Sequence, residues 1–316
     1  MNPRRRVIRA ASPWLMALGL TLSIPAAAAN PEPGASGLEE AAESDSSEAF
    51  FTQARSRAQA PATSLAEIQR LLVPEIRVYR PEGAGPFPGI LLLHGCSGPT
   101  PSHESDWARF YSERGVVTLA VDSLGPRQLD WERVCNLETL TGRERAADIL
   151  AALEYARSLP FVDSDRLALS GFSHGAWTIW EFLLLASDQT PALGLDEWPA
   201  DGAHGVRAAF LFYGPCLEKF SVPIATLVFQ AENDRYIDEA ACIEHARQLQ
   251  RDPGAKGEEF ELHVFPGATH TFDHAQPNPA NLAAGSVHDP QATRTAQEAI
   301  ERVLKNLGAP ASSSTP

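Results

Sequence analysis

The chain is poor in basic residues. It sets 26 Lys and Arg against 40 Asp and Glu, a formal charge of −14 over 316 residues. Nucleic-acid binders are usually basic, so this balance argues against a polyanionic partner and fits a solvated protein surface. Long apolar runs are also missing. The longest, from Trp14 to Ile24, falls short of the ~20 residues a membrane-spanning helix needs. Cysteine is scarce, with four in all and no C-x-x-C or Cys/His array of zinc spacing, so no metal is expected. Internal repeats are absent. What remains is ordinary globular material, 44% hydrophobic and 21% charged, which excludes wholesale disorder. The length suits one large domain with a real core.

The N-terminus reads as a targeting segment. Arg4, Arg5, Arg6 and Arg9 form a basic region, the run Trp14 to Ile24 follows, and Ala26 to Ala29 offers a small-residue cleavage site. This is the layout of a secretory signal peptide over 1–29. An uncleaved anchor is the competing reading, and the Arg pairs also fit a loose twin-arginine signal. Cleavage would remove four Arg and no acid, leaving a charge of −18. The chain is therefore expected to be exported, periplasmic or secreted, and free of the membrane once cleaved. Residues 30–59, rich at first in Pro, Gly, Ser, Glu and Ala, read as a disordered acidic leader. Residues 60–308 read as the folded domain and 309–316 as a disordered tail.

Within 60–308, short apolar runs alternate with helical patterns. Residues 89–94, 116–121, 166–170, 208–213, 225–230 and 260–265 have the look of buried parallel strands, and 76–79 that of an antiparallel edge. Helices are expected over 143–157, over 174–186 (apolar nearly all round) and from a cap at Asp238 to about residue 250. The last is the clearest, with Asp289 at the N-cap, Pro290 at N1, Gly308 at C′, and Ala296, Ala299, Ile300, Val303, Leu304 and Leu307 on one face. Such alternation predicts a doubly wound, mostly parallel α/β sheet flanked by helices. Residues 187–205, with Trp198, read equally as a lid or as a plain surface loop. Trp107, Trp131, Trp177, Trp180 and Trp198 are mostly expected in the core.

On this strand order Cys96 and Cys135 follow neighbouring strands, and so do Cys216 and Cys242. In an exported chain that favours disulfides 96–135 and 216–242, about 3.5–4 kcal/mol each in the chain-entropy model. Buried free thiols are the alternative.

Gly171-Phe172-Ser173-His174-Gly175 is a G-x-S-x-G motif. The pentapeptide alone arises by chance in about one such chain in ten. Its setting between a strand and a buried helix is that of a nucleophile elbow, which exposes the serine oxygen at a helix N-terminus. A serine needs a base, and the base an orienting acid. Asp234 and His270 each follow a strand, in the order this arrangement requires. Glu232 and Asp238 are alternative acids and His274 an alternative base. His270, Asp273 and His274 also show H-x-x-D-H metal spacing without an evident further ligand. The backbone N–H groups of Cys96 and His174 are the expected oxyanion donors, with His94 supporting the Cys96 loop.

These residues, His94-Gly95-Cys96-Ser97-Gly98, the elbow, Asp234 and Pro266-Gly-Ala-Thr-His270, resemble the dienelactone hydrolase family of α/β-hydrolases over roughly residues 74–307. The resemblance implies a small eight-stranded α/β-hydrolase core in a single domain without a large cap, and ester or lactone hydrolysis. Two departures separate the chain from the dienelactone enzymes themselves. Ser173 stands where they carry cysteine, and the Cys96 loop lacks their glutamate. Those enzymes are also cytoplasmic. The expectation is an exported serine hydrolase of small-molecule carboxylic esters that needs no cofactor. Its rivals are a serine peptidase on the same core, which usually carries a large extra domain for which there is no room here, and a binding protein that has lost the chemistry.

Overall fold

The computed structural model describes residues 47–251, 260–283 and 285–307. The expected signal segment 1–29, the expected leader as far as 46, Gly308 and the expected tail 309–316 lie outside the described residues.

Seven strands form one sheet in the order β1-β3-β2-β4-β5-β6-β7. They are β1 Arg77–Tyr79, β2 Phe87–Leu93, β3 Val117–Val121, β4 Val162–Phe172, β5 Val206–Phe212, β6 Ala225–Ala231 and β7 Phe260–Phe265. Only β1 runs antiparallel, against β3. The helices among them are α1 Ser47–Arg57, α2 Leu65–Leu72, α3 Pro101–Ser112, α4 Trp131–Cys135, α5 Gly142–Ser158, α6 His174–Asp188, α7 Glu239–Arg251, α8 Pro279–Ala283 and α9 Pro290–Leu307.

Alternate side chains leave opposite faces of a strand, and both faces of this sheet are covered. Leu91, Leu93, Leu119, Leu169 and Leu211 pack under α2, α5 and α6. Ile90, Leu92, Ala168, Phe210 and Phe212 pack under α3 and α9. Two helices on the first face start with capping boxes, Ser64 with Glu67 and Thr141 with Glu144. Helix α9 starts as expected, the Asp289 carboxylate accepting from the Gln291 and Ala292 amides. The doubly wound α/β architecture is as the sequence predicts.

Three details differ. The resemblance implies an eight-stranded core, and the described residues contain seven strands. The leader expected over 30–59 contains helix α1, which Phe51 and Ala54 bury against the core. Phe51 meets Trp177 edge-on at 5.0 Å, and that apolar burial overrides a polar local composition. Residues 187–205 do not cover the candidate site. Trp198 instead packs near Phe182, at 6.0 Å between rings.

Both disulfides, Cys96–Cys135 and Cys216–Cys242, are present, which accords with an oxidising compartment. Among the described residues no helix is long and apolar enough to cross a membrane.

Candidate active site

Strand β4 ends at Phe172 and α6 begins at His174, so one residue makes the turn. That residue, Ser173, holds φ 52° and ψ −114°, a conformation side chains rarely adopt and that costs on the order of 1–3 kcal/mol. The flanking glycines make room for it. A Cβ on Gly171 would meet the Gly175 backbone at 2.5 Å, and one on Gly175 would collide with the Leu93 carbonyl.

His270, in the loop after β7, lies 3.0 Å through Nε2 from Ser173 Oγ and 2.7 Å through Nδ1 from Asp234 Oδ2. These partners assign the tautomer: Nδ1–H donates to the carboxylate and Nε2 accepts from the serine hydroxyl. Asp234 is held in turn, Oδ1 accepting from the Tyr236 and Ile237 amides. The structure thus brings Ser173, His270 and Asp234 together. The alternatives have other partners. Glu232 accepts from the Gly267 amide, Asp238 from the Ala240 amide, and His274 stacks on His103 at 3.7 Å.

The loop after β2 comes alongside. A Cβ on Gly95 would lie 3.7 Å from Ser173 Cβ, and Cys96 and His174 line the same cavity as Ser173. A buried cation organises this corner. Arg145, fully buried on α5, donates to the His94 carbonyl at 2.8 Å and to Ser123 Oγ at 2.8 Å, and lies 3.2 Å from His174 Nδ1. Burial lowers its pKa to about 10, which leaves it charged at neutral pH. Burial and Arg145 together lower His174 to about 3. His94 accepts from the Ser123 amide through Nε2 and lies 2.6 Å through Nδ1 from the Gly95 carbonyl, supporting the loop as expected.

A second polar group lies behind His270. Tyr213, at φ 40° after β5, sets its ring against His270 at 4.7 Å and donates its hydroxyl to Asp273 Oδ1 at 2.8 Å. Asp273 also accepts from Trp107 Nε1 at 2.8 Å and lies 2.7 Å from His103 Nε2. Burial would raise this carboxyl, but the His103 charge and these hydrogen bonds hold it below the usual carboxylate range. The H-x-x-D-H spacing is therefore divided: His270 faces Ser173, while Asp273 and His274 join His103. Those three place ligand atoms within 4.8 Å of one another. The carboxylate already serves Tyr213, Trp107 and His103, so a metal would have to displace these donors. His103, Tyr213 and Arg145 were invisible to motif reading because each acts across a long sequence separation.

The cavity over Ser173 encloses about 330 Å³, walled by Leu137, Ile237 and Phe172, with Phe50, Trp131 and Tyr236 at its edge. Of the five tryptophans considered from the sequence, only Trp131 reaches it, while Trp107, Trp177 and Trp180 are core. A half-buried serine oxygen within hydrogen-bond reach of an imidazole nitrogen, next to backbone amides at a helix N-terminus, is equipped for acyl transfer.

Residues 198–308 match the dienelactone hydrolase family and residues 103–189 the prolyl oligopeptidase family. The esterase FrsA of Shigella boydii serotype 18 (strain CDC 3083-94 / BS512) is 31% identical over 101 residues, which are 31% of this chain and only 22% of that esterase. Esterase 2 of Thermogutta terrifontis, phosphorylated by paraoxon, superposes with a TM-score of 0.56 at 18% identity, over 74% of this chain and 90% of that one. The dienelactone hydrolase-like promiscuous phosphotriesterase P91, from metagenomic libraries, does so with a TM-score of 0.51 at 20% identity, over 71% and 88%. Sheet order and these likenesses agree on the fold: the chain has an α/β-hydrolase fold, and separate parts of it match the dienelactone hydrolase and prolyl oligopeptidase families.

Proposed function

We propose that this chain is an exported serine hydrolase of carboxylic esters. The observation that carries the reading is the relay from Ser173 through His270 to Asp234, mounted on a strained turn at a helix N-terminus. Ser173 Oγ attacks the ester carbonyl while His270 Nε2 takes its proton. Asp234 keeps the imidazole in the required tautomer and stabilises its charged form. The Cys96 and His174 amides receive the oxyanion. His270 then protonates the leaving alcohol, and an acyl-enzyme on Ser173 remains. Water, deprotonated by His270, adds to the acyl carbon and releases the acid and the free serine. Export is supported by the two disulfides and by the layout of residues 1–29.

A p-nitrophenyl ester series from acetate to decanoate tests this on the oxidised protein and on Ser173→Ala. The expected result is turnover in the first and a loss of at least about 10³-fold in the second. A folded wild type that neither turns over these esters nor reacts with a fluorophosphonate at Ser173 would refute the serine chemistry. The match to the prolyl oligopeptidase family over 103–189 favours a second reading, a peptidase. Cleavage of Xaa-Pro anilides at rates exceeding ester cleavage would select it.

A further inference from the structure

Six large apolar side chains stand exposed among the described residues, and three of them, Phe50, Trp131 and Tyr236, meet at the mouth of the cavity over Ser173. They are 43%, 41% and 52% exposed. They come from three separate segments, α1, α4 and the loop after β6, and each segment is pinned where it stands. Helix α1 is held by Phe51 on Trp177, and by Arg55, whose Nε pairs at 2.6 Å with the buried Glu181. Helix α4 is held by the Cys96–Cys135 bridge. The Tyr236 amide is bound to Asp234, and its ring lies edge-on to His270 at 4.9 Å.

Exposed aromatic surface converging on a nucleophile is unfavourable in water unless something apolar covers it. Side chains carried on pinned segments add no backbone ordering cost when it does. A small acyl or alkyl group would leave most of the cavity and the whole rim wet. We propose that the ester taken by this site carries an aromatic group seated among Phe50, Trp131 and Tyr236, and that α1 is therefore part of the substrate site. This rests on the ester reading given above. The rings offer edge-to-face or offset contacts to a planar guest, which the acyl or the alcohol side of the ester could carry.

The test uses esters with no chromogenic ring, followed by titration of the released acid: methyl 3-phenylpropanoate, benzyl acetate and methyl butanoate. At least one aromatic ester is expected to exceed methyl butanoate about 10-fold or more in kcat/KM. That ratio is expected to fall about 10-fold in Phe50→Ala and in Trp131→Ala, chiefly through KM, and to hold in Leu71→Ala, which alters an exposed apolar side chain of α2 outside the cavity. Phe50 and Trp131 are exposed enough that their truncation leaves the core packed. A wild-type ratio near one, or a ratio equally preserved in both rim variants, overturns the inference while leaving the ester reading standing. Failure of the folded wild type on all three esters overturns the ester reading and this inference with it.

Discussion

Ser173 is strained at φ 52°, and its strain is sustained by neighbours that have no side chain. Gly175 packs so closely on the Leu93 carbonyl that even a methyl group must push α6 away from β2. Gly175→Ala is therefore expected to cost about 2–3 kcal/mol, read as a lower denaturant midpoint, and to reduce turnover as Ser173 leaves its position. Asp234 sits at the other end of the relay. Asp234→Asn keeps the amide contacts of Tyr236 and Ile237 within reach but no longer enforces the Nδ1–H tautomer of His270, so kcat should fall about 10³–10⁴-fold with little change in melting temperature. A parallel collapse of melting temperature would instead mean that the carboxylate is structural. At this scale Ser173, Asp234 and His270 were legible because each follows a strand inside a short local pattern. Tyr213, His103 and Arg145 were not, since a tyrosine at positive φ and a buried arginine carry no signature in their neighbouring residues.

The elements are tied together by bonds of different consequence. The Cys96–Cys135 bridge joins the loop expected to supply an oxyanion donor to α4, which brings Trp131 to the cavity. The Cys216–Cys242 bridge joins the segment after β5 to α7, away from that cavity. Chain-entropy arguments give each about 3.5–4 kcal/mol from its loop length. Replacing Cys216 and Cys242 by Ser should lower stability by about that amount while kcat stays within about 2-fold. Replacing Cys96 and Cys135 should lower stability equally and kcat by about 10-fold, because a loosened donor loop stabilises the oxyanion less. Denaturant titration beside ester kinetics on the same samples separates the two, and equal kcat in both pairs would show that the loop is rigid without its bridge. Both pairings followed from strand order alone. Helix α1 did not, because its sequence is polar on average and its hold on the core comes from Phe51, Ala54 and the Arg55–Glu181 pair.

Across the molecule, four histidines are buried in the neutral form. His174 and His274 are lowered to about 3 and His245 to about 4, in each case chiefly by burial, and His94 lies well below its ordinary value for the same reason. An unfolded histidine takes up its proton below about pH 6.5. From there down to about pH 4 the unfolded chain binds more protons than the folded one, so stability falls as pH falls. It is at its full value above about 6.5. Each histidine contributes at most about 1.4 kcal/mol per pH unit in that window. Thermal melts at pH 7.5 and pH 5 are expected to differ by about 10 °C or more, the acid sample being the weaker. A melting temperature unchanged over that interval would mean that these rings remain hydrated.

The division between sequence and tertiary structure follows the range of the forces. Alternation of apolar runs with amphipathic helices pointed to a parallel sheet covered by helices, because such strands must be buried on both faces. The elbow and the strand ends determined which serine, aspartate and histidine meet, since their positions depend on turns a few residues long. Only the tertiary structure decided that His103 rather than His270 shares Asp273, that Arg145 lies beneath the Cys96 loop, and that α1 returns from outside the expected domain to wall the cavity. Those contacts join residues tens to more than a hundred positions apart, and their energy comes from burial and pairing that exist only once the sheet has closed over its core.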